Sequence, residues 1–372
     1  MDVKSVKILI IGHTGKMGGV ETFIRNTTLF SDKDKVQFDF LIHGDKKCLF
    51  AEEFNSFYNN RNHIYFLPKF KKNPMKTIAA LWKFYKEHHE YKYIHLETGA
   101  AAELLYCFPY YLFYGMKVII HSHNGGNSEP KLLQKVLIPL VNVIADKKLA
   151  CSDAAAVFMF GKMSAPEAKL IYNGIDADKF RYSEKMRKAC RESFRIEENA
   201  LVIGHIGRFS KQKNHSYLIE IFQEIYNRQP NAVLVLGGTG ELEEDIKEKV
   251  KRYKLQSKVI FTGLQEDTSA LYSAMDVFVM PSLYEGLPIV AIEAQASGLP
   301  CVFSDKISIQ VRLTEQTEMA ALEEGVSNWA DRILSLYFKS TSTDRYKGVK
   351  AILNKGYDIH DTVSHLERIY LS

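Results

Sequence analysis

Short apolar runs alternate with amphipathic stretches along the whole chain. Val6 to Ile11 reads Val-Lys-Ile-Leu-Ile-Ile and stops at Gly12, as a strand buried on both faces of a parallel sheet should. A helix is expected from Gly19 to Phe30. Further strands are expected at Phe38 to Ile42, Ile64 to Leu67, Tyr93 to Leu96, Val118 to Ile120 and Lys148 to Ala150. Between them, Met75 to His88 places Ile78, Leu81, Trp82 and Tyr85 at helical spacing. Strands separated by helices imply right-handed crossovers and a parallel sheet.

The pattern then restarts. Leu201 to Ile206 is a second opening strand. Val233 to Leu236, Val259 to Phe261, Val277 to Val279 and Cys301 to Phe303 follow at comparable intervals. Asp178 to Asn199, between the two series, is charge-rich and lacks apolar periodicity, so the connection between two domains is expected there. The expected division is 1–178 and 179–357, with a helical C-terminal stretch over 358–372 packing back on the first domain. Each doubly wound sheet should present the loops after its strands as a ligand-binding edge, the two facing across a cleft.

Length agrees with two domains, because 372 residues exceed one ordinary hydrophobic core. With 49 basic and 44 acidic residues, the net charge of +5 is too balanced to argue for nucleic acid. It suits a small anionic ligand. The five cysteines are scattered and form no C-x-x-C, which fits reduced thiols in a cytoplasmic protein. No secretory signal pattern opens the chain. Leu104 to Ile120 is interrupted by Pro109, Gly115 and Lys117 and reads as a core helix followed by a strand, not as a membrane span.

The unusual residues fall in the loops after the strands. Gly18-Gly19-Val20-Glu21 opens a helix after the first strand. Glycines there let a phosphate approach the backbone at a helix N-terminus, although a plain tight turn needs the same residues. Gly12, Gly15 and Gly18 also form G-x-x-G-x-x-G, similar to the fingerprint of nicotinamide-dependent sugar-nucleotide epimerases and dehydrogenases. The Tyr-x-x-x-Lys pair of those enzymes is wanting: Pro68 interrupts Tyr65 and Lys69, and Tyr346 and Lys350 come late. His121-Ser122-His123-Asn124-Gly125-Gly126 follows another strand. An H-x-H could ligate a metal, but no third ligand is evident from spacing, and no metal is expected. Gly207-Arg208 with Lys213-Asn214 follows the opening strand of the second series, and such cations suit a diphosphate.

The most specific segment runs from Pro281 to Ala294. Glu285 and Glu293 stand with seven residues between them, the first in a loop and the second on an apolar helix begun by Pro288. A carboxylate in so apolar a helix wants a hydroxyl or cationic partner.

These residues resemble the E-x7-E signature of glycosyltransferase family 4, of the GT-B fold. The likeness extends to Gly18-Gly19-Val20-Glu21, Ile171 to Asp176, Gly207-Arg208, Gly237 to Leu242, Phe261-Thr262-Gly263 and Asp276 to Val279. Its wording is closest to bacterial exopolysaccharide and capsule enzymes. The resemblance implies a retaining, metal-independent hexosyltransferase with no cofactor besides its nucleotide-sugar co-substrate, a UDP-sugar. Gly18 and Gly19 would meet the donor phosphate. Arg208 and Lys213 would hold the diphosphate. Glu293 would take the ribose hydroxyls. Glu285, with the backbone of Gly286 and Leu287, would stand at the donor sugar, and His123 would be the second catalytic residue. Leu287 departs from the Phe of many members. The resemblance also implies a glycan acceptor, often carried on polyprenyl diphosphate at the inner membrane face. Leu104 to Tyr114 and Lys131 to Ile144 have the apolar character that a peripheral membrane contact requires; ordinary buried helices account for them as well, and burial is the expectation. An epimerase or dehydrogenase, and a non-catalytic sugar-nucleotide-binding protein, remain the alternatives.

Overall fold

The computed structural model describes residues 5–13, 15, 18–44, 48–61, 63–70, 72–115, 117–124 and 131–372. Gly125 and Gly126 of the expected histidine loop lie outside them. The chain forms two compact units, residues 1–174 with 359–372, and residues 175–358.

The first unit holds seven strands, β1 (Val6–Ile11), β2 (Val36–His43), β3 (Ile64–Leu67), β4 (Tyr93–Thr98), β5 (Lys117–Ser122), β6 (Lys147–Ala150) and β7 (Lys169–Leu170). All pair in parallel, in the order β3-β2-β1-β4-β5-β6-β7. Central strands β1 and β4 are almost wholly buried, which explains the apolar run of β1; β4 buries His95 and Glu97 as well. Helix Pro74–Glu87 is started by Asn73, whose side chain accepts from the Lys76 amide, and by Pro74 in the first turn. Leu104 to Ile120 divides into a 3-10 turn (Ala101–Tyr106), a helix (Phe108–Tyr114) ended by left-handed Gly115, and β5.

Helix Ile359–Leu371 belongs to this first unit. The Asp32 amide donates to Glu367 Oε1 at 2.8 Å, Thr362 Oγ1 donates to the Tyr172 carbonyl at 3.1 Å, and Lys147 Nζ donates to the Ile369 carbonyl at 2.9 Å.

The second unit holds β8 (Val202–Ile206), β9 (Val233–Gly237), β10 (Val259–Gly263), β11 (Val277–Met280), β12 (Cys301–Ser304) and β13 (Thr317–Ala320). Their order, β10-β9-β8-β11-β12-β13, is again doubly wound and parallel. One core runs from Leu201 and Phe222 to Trp329 and Ile333.

The segment expected to link the domains is structured. Glu184–Ser193 is a helix of the second unit, capped by Ser183. Arg187 and Arg191 hold Asp276, just before β11, at 2.7 and 2.8 Å, and the Val202 amide donates to the same carboxylate at 2.7 Å. The helix is fastened by ion pairs instead of an apolar stripe, so its sequence looked like a linker. The chain passes between units at Gly174/Ile175 and returns at Asp358/Ile359.

Candidate active site

In both sheets the unusual residues lie beyond the C-terminal ends of the strands, where doubly wound folds bind ligands. Each unit carries its own group.

In the second unit, two loops are laced together. The Leu283 amide donates to the Gln212 carbonyl (2.8 Å), Gln212 Nε2 donates to the Tyr284 carbonyl (2.9 Å), and Asn214 Nδ2 donates to the Pro281 carbonyl (3.1 Å). Asn214 takes the left-handed conformation, φ 56°, to turn into helix His215–Arg228. The lacing brings Lys213 Nζ to 2.7 Å from Glu285 Oε1, with both side chains largely buried. Arg208, on the same loop as Lys213, is exposed and has no acidic partner among the described residues. A free guanidinium on the same loop as a neutralised lysine leaves net positive charge on this rim, as an anion site requires. Gly238, φ 120°, lets the β9 loop cross beneath: a Cβ there would stand 2.3 Å from the Gly207 carbonyl oxygen.

Gly286 and Leu287 are buried, and Pro288 precedes helix Ile289–Ala296 as its N-cap. Glu293 lies on that helix, its Oε2 accepting from the Tyr272 hydroxyl at 2.7 Å. Burial pushes the Glu293 carboxyl up to about 7; the Tyr272 hydrogen bond and the charge of Lys179 only partly oppose it, and Asp267 adds to it. Tyr272 had no signal in the sequence, because only the tertiary fold brings it to Glu293. Beneath the loop, buried His205 Nδ1 donates to the Val279 carbonyl (2.7 Å), and burial holds its pKa down to about 4.

In the first unit, Gly18 is extended and caps helix Gly19–Phe30 without a side chain, and its carbonyl accepts from the Thr22 amide and hydroxyl, both at 3.0 Å. A Cβ on Gly19 would meet nothing within 4 Å, so no neighbouring atom demands a glycine there. Gly12 has a different reason. At φ 144°, its missing Cβ would stand 2.2 Å from the Glu97 carbonyl oxygen. That glycine serves strand packing, so the first part of the G-x-x-G-x-x-G run is explained without a nucleotide. Tyr65 of the dehydrogenase-like pair lies on strand β3.

His123 comes just after β5. Its Nε2 donates to Glu97 Oε2 at 2.5 Å, and its amide donates to the Thr98 carbonyl at 2.9 Å. Glu97 also faces His121 Nδ1 at 2.9 Å and His95 Nε2 at 3.4 Å. Burial alone would raise the Glu97 pKa, but the three imidazoles outweigh it and hold it well below the usual range. Burial likewise disfavours a charged His123, and Glu97 with Cys151 reverses that, keeping the imidazole above its ordinary value. Burial keeps His95 and His121 below theirs. His95 and Glu97 were not singled out in the sequence. Their spacing, two apart in the buried run Tyr93-Ile94-His95-Leu96-Glu97, puts both on one face of β4 and was the available signal.

Residues 186–346 match the family described as Glycosyl transferases group 1, and residues 17–179 match Glycosyltransferase Family 4. A Bacillus subtilis (strain 168) protein named as a glycosyltransferase, EpsF, is 32% identical over 100% of this chain and 97% of its own. The UDP-Gal:alpha-D-GlcNAc-diphosphoundecaprenol alpha-1,3-galactosyltransferase of Escherichia coli is 27% identical over 62% of each chain. Among solved structures, Anabaena Alr3699/HepE in complex with UDP and glucose superposes with a TM-score of 0.82 at 19% identity, covering 99% of this chain and 100% of that one.

Proposed function

Because the chain belongs to the group 1, family 4 glycosyltransferases and has their GT-B fold, we propose that it moves a hexose or N-acetylhexosamine from a UDP-sugar to a glycan acceptor, with retention of configuration, in exopolysaccharide or capsule synthesis. The observation that carries this reading is the laced rim of the second unit: Lys213 paired with Glu285, Arg208 unpaired beside them, and Glu293 on the next helix. In the transfer, the bond from the anomeric carbon to the diphosphate oxygen breaks and the bond to the acceptor oxygen forms. The acceptor proton leaves with the departing diphosphate. Arg208 and Lys213 meet the charge that develops on that leaving group, without a metal at the diphosphate. Glu285 and the backbone of Gly286 and Leu287 orient the sugar, and Glu293 takes the ribose. Gly18, Gly19 and His123 remain the first unit's candidates, His123 as a catalytic residue.

Binding of UDP, GDP, ADP and NAD in the presence of EDTA, read by thermal shift, tests the donor class. A ligand at a hundred times its Kd adds about 2.7 kcal/mol of stability. Stabilisation by UDP alone is expected, and stabilisation by NAD alone overturns the reading. Product analysis by NMR with an α-linked UDP-sugar should show an α-linkage; a β-linkage overturns retention.

The acceptor we propose is a glycan on polyprenyl diphosphate, reached by docking at an anionic membrane surface. The printed substrate of the Escherichia coli relative, a diphosphoundecaprenol, supports that class. So does helix Lys131–Ile144, which the sequence led one to expect buried. Among its described side chains only Gln134, Val141 and Ile144 are buried, while Leu132, Val136, Leu140 and Val143 form an exposed apolar stripe with Lys135 and no carboxylate on the helix. Such a face suits the plane of a bilayer interface. Among the described residues no helix is long and apolar enough to cross a membrane. Replacing Leu132, Val136 and Leu140 with Glu should abolish sedimentation with anionic vesicles and leave UDP stabilisation intact. Unchanged sedimentation overturns the docking face.

A further inference from the structure

The histidine loop left a question that spacing could not answer, namely where a third ligand for an H-x-H would come from. The fold supplies two. Strand β4 lies beside β5 with His95 level with Ile119, and Glu97 level with His121. His95, Glu97 and His121 are all buried, and one ligand atom from each lies within 4.8 Å of the others.

The spacing within the group is informative. The edge of a tetrahedron with metal–ligand bonds of zinc length is about 3.4 Å. His95 Nε2 and Glu97 Oε1 are 3.4 Å apart, and His121 Nδ1 and Glu97 Oε2 are 2.9 Å apart. Neither imidazole nitrogen is aligned for a hydrogen bond with the carboxylate it faces, although both stand within ion-pair distance of it. Buried ring nitrogens without a hydrogen bond are rare and want an explanation. The contact between Glu97 and His123 satisfies one carboxylate oxygen and does nothing for these two nitrogens.

The surroundings are those of a ligand set with its supports. His95 Nδ1 is held by the Tyr370 hydroxyl at 2.6 Å, which fixes the ring with Nε2 aimed at Glu97. His123 holds the same Glu97 oxygen that His121 faces. Metal-ligating histidines and carboxylates are fixed by outer partners of this kind. Two imidazoles and one carboxylate suit zinc and neighbouring divalent transition metals, not calcium or magnesium.

The geometry points to a divalent transition-metal site, of zinc class, formed by His95, Glu97 and His121 inside the first unit. The ion joins His123 in opposing the charge of a fully buried carboxylate. It ties β4 to β5 and, through Tyr370, to the C-terminal helix. It has no part in binding the donor diphosphate, whose cations are on the second unit, so the inference stands apart from the transfer reaction. Such an ion would depart, in this unit alone, from the absence of metal expected from the sequence.

The test is elemental analysis and X-ray absorption on the untagged full chain, made in cells supplied with zinc and freed of loose metal by gel filtration. Close to one zinc per chain is expected, with only nitrogen and oxygen neighbours at about 2.0–2.2 Å and the scattering signature of two imidazoles. Glu97→Gln and His121→Gln, checked for folding by circular dichroism, should each lose the ion. Metal-free wild-type protein overturns the site. So does zinc retained in either folded variant, or a sulfur neighbour at about 2.3 Å, which would move the ion to Cys151. If neither variant folds, the wild-type metal content and its absorption spectrum still decide.

Discussion

Glu293 offers the sharpest test of the donor site, because its environment opposes the charge its proposed task requires. The carboxyl sits at about 7 in the folded protein, against an ordinary value of 4.5, chiefly through burial. Ionising it without a ligand therefore costs roughly 3 kcal/mol more than in water, at about 1.4 kcal/mol per pKa unit. Two ribose hydroxyls donating to the carboxylate return about 1.5–3 kcal/mol each, enough to bring it back to the ionised form. Donor binding should then release a proton at pH 6 and none at pH 8. With a free-state pKa near 7, about nine-tenths of the protein is in the wrong protonation state at pH 6 and about one-tenth at pH 8, so the apparent Kd should be about tenfold weaker at pH 6. Isothermal titration calorimetry with a UDP-sugar, in buffers of different ionisation enthalpy, reads both quantities. A UDP-sugar is preferred to UDP, whose terminal phosphate titrates in the same window. Glu293→Gln should remove the proton release and flatten the pH dependence. A Kd equal at pH 6 and 8 in the wild type, or the same slope in Glu293→Gln, refutes the ribose role. Stability has its own sign. The folded pKa exceeds the unfolded one, so Glu293's contribution is fully present below about pH 4.5 and is lost as pH rises through about 7.

Three further outcomes are expected. Arg208→Ala should lower turnover roughly a hundredfold or more, with an unchanged melting temperature, since Arg208 is exposed and unpaired; full activity sinks its assignment. Asp276→Asn should cost about 3–5 kcal/mol in urea unfolding by stranding Arg187 and Arg191, and a loss below about 1 kcal/mol would mean that the helix is held otherwise. Gly298→Ala should cost about 2–4 kcal/mol, because Gly298 sits at φ 65° and a Cβ would stand 2.2 Å from the Arg345 carbonyl oxygen; an unshifted melting curve refutes that contact.

The strands most plainly legible in the sequence were the ones buried on both faces, although the partly buried edge strands Ile64–Leu67 and Val259–Gly263 were legible too. Val6–Ile11 and Val233–Gly237 announce themselves as apolar runs because helices cover both sides. Lys169–Leu170 and Thr317–Ala320 escaped notice, being short edge strands with mixed wording. Glu184–Ser193 was misread as a connection because arginine-to-aspartate pairs leave no periodic trace. At the site, Glu285, Glu293, Arg208 and Lys213 were visible because charged residues interrupt loops and helices that are otherwise apolar or glycine-rich. Tyr272, 21 positions from Glu293, was not. Nor was the inward turn of His123: a histidine in a loop after a strand looks free, and only the crossing of β4 beside β5 reveals Glu97 beneath it.

The return of helix Ile359–Leu371 to the first unit has a consequence for how the chain is made. Residues 175–358 form one uninterrupted stretch and have every partner at hand once Asp358 clears the ribosome. The first unit, although synthesised earlier, waits for Glu367, Ile369 and Tyr370 to close over Asp32, Lys147 and His95. During translation its sheet stands partly uncovered while the later unit matures, so order of synthesis and order of completion run in opposite directions. A chain truncated after residue 358 and released would therefore present a finished C-terminal half and an N-terminal half open to chaperones.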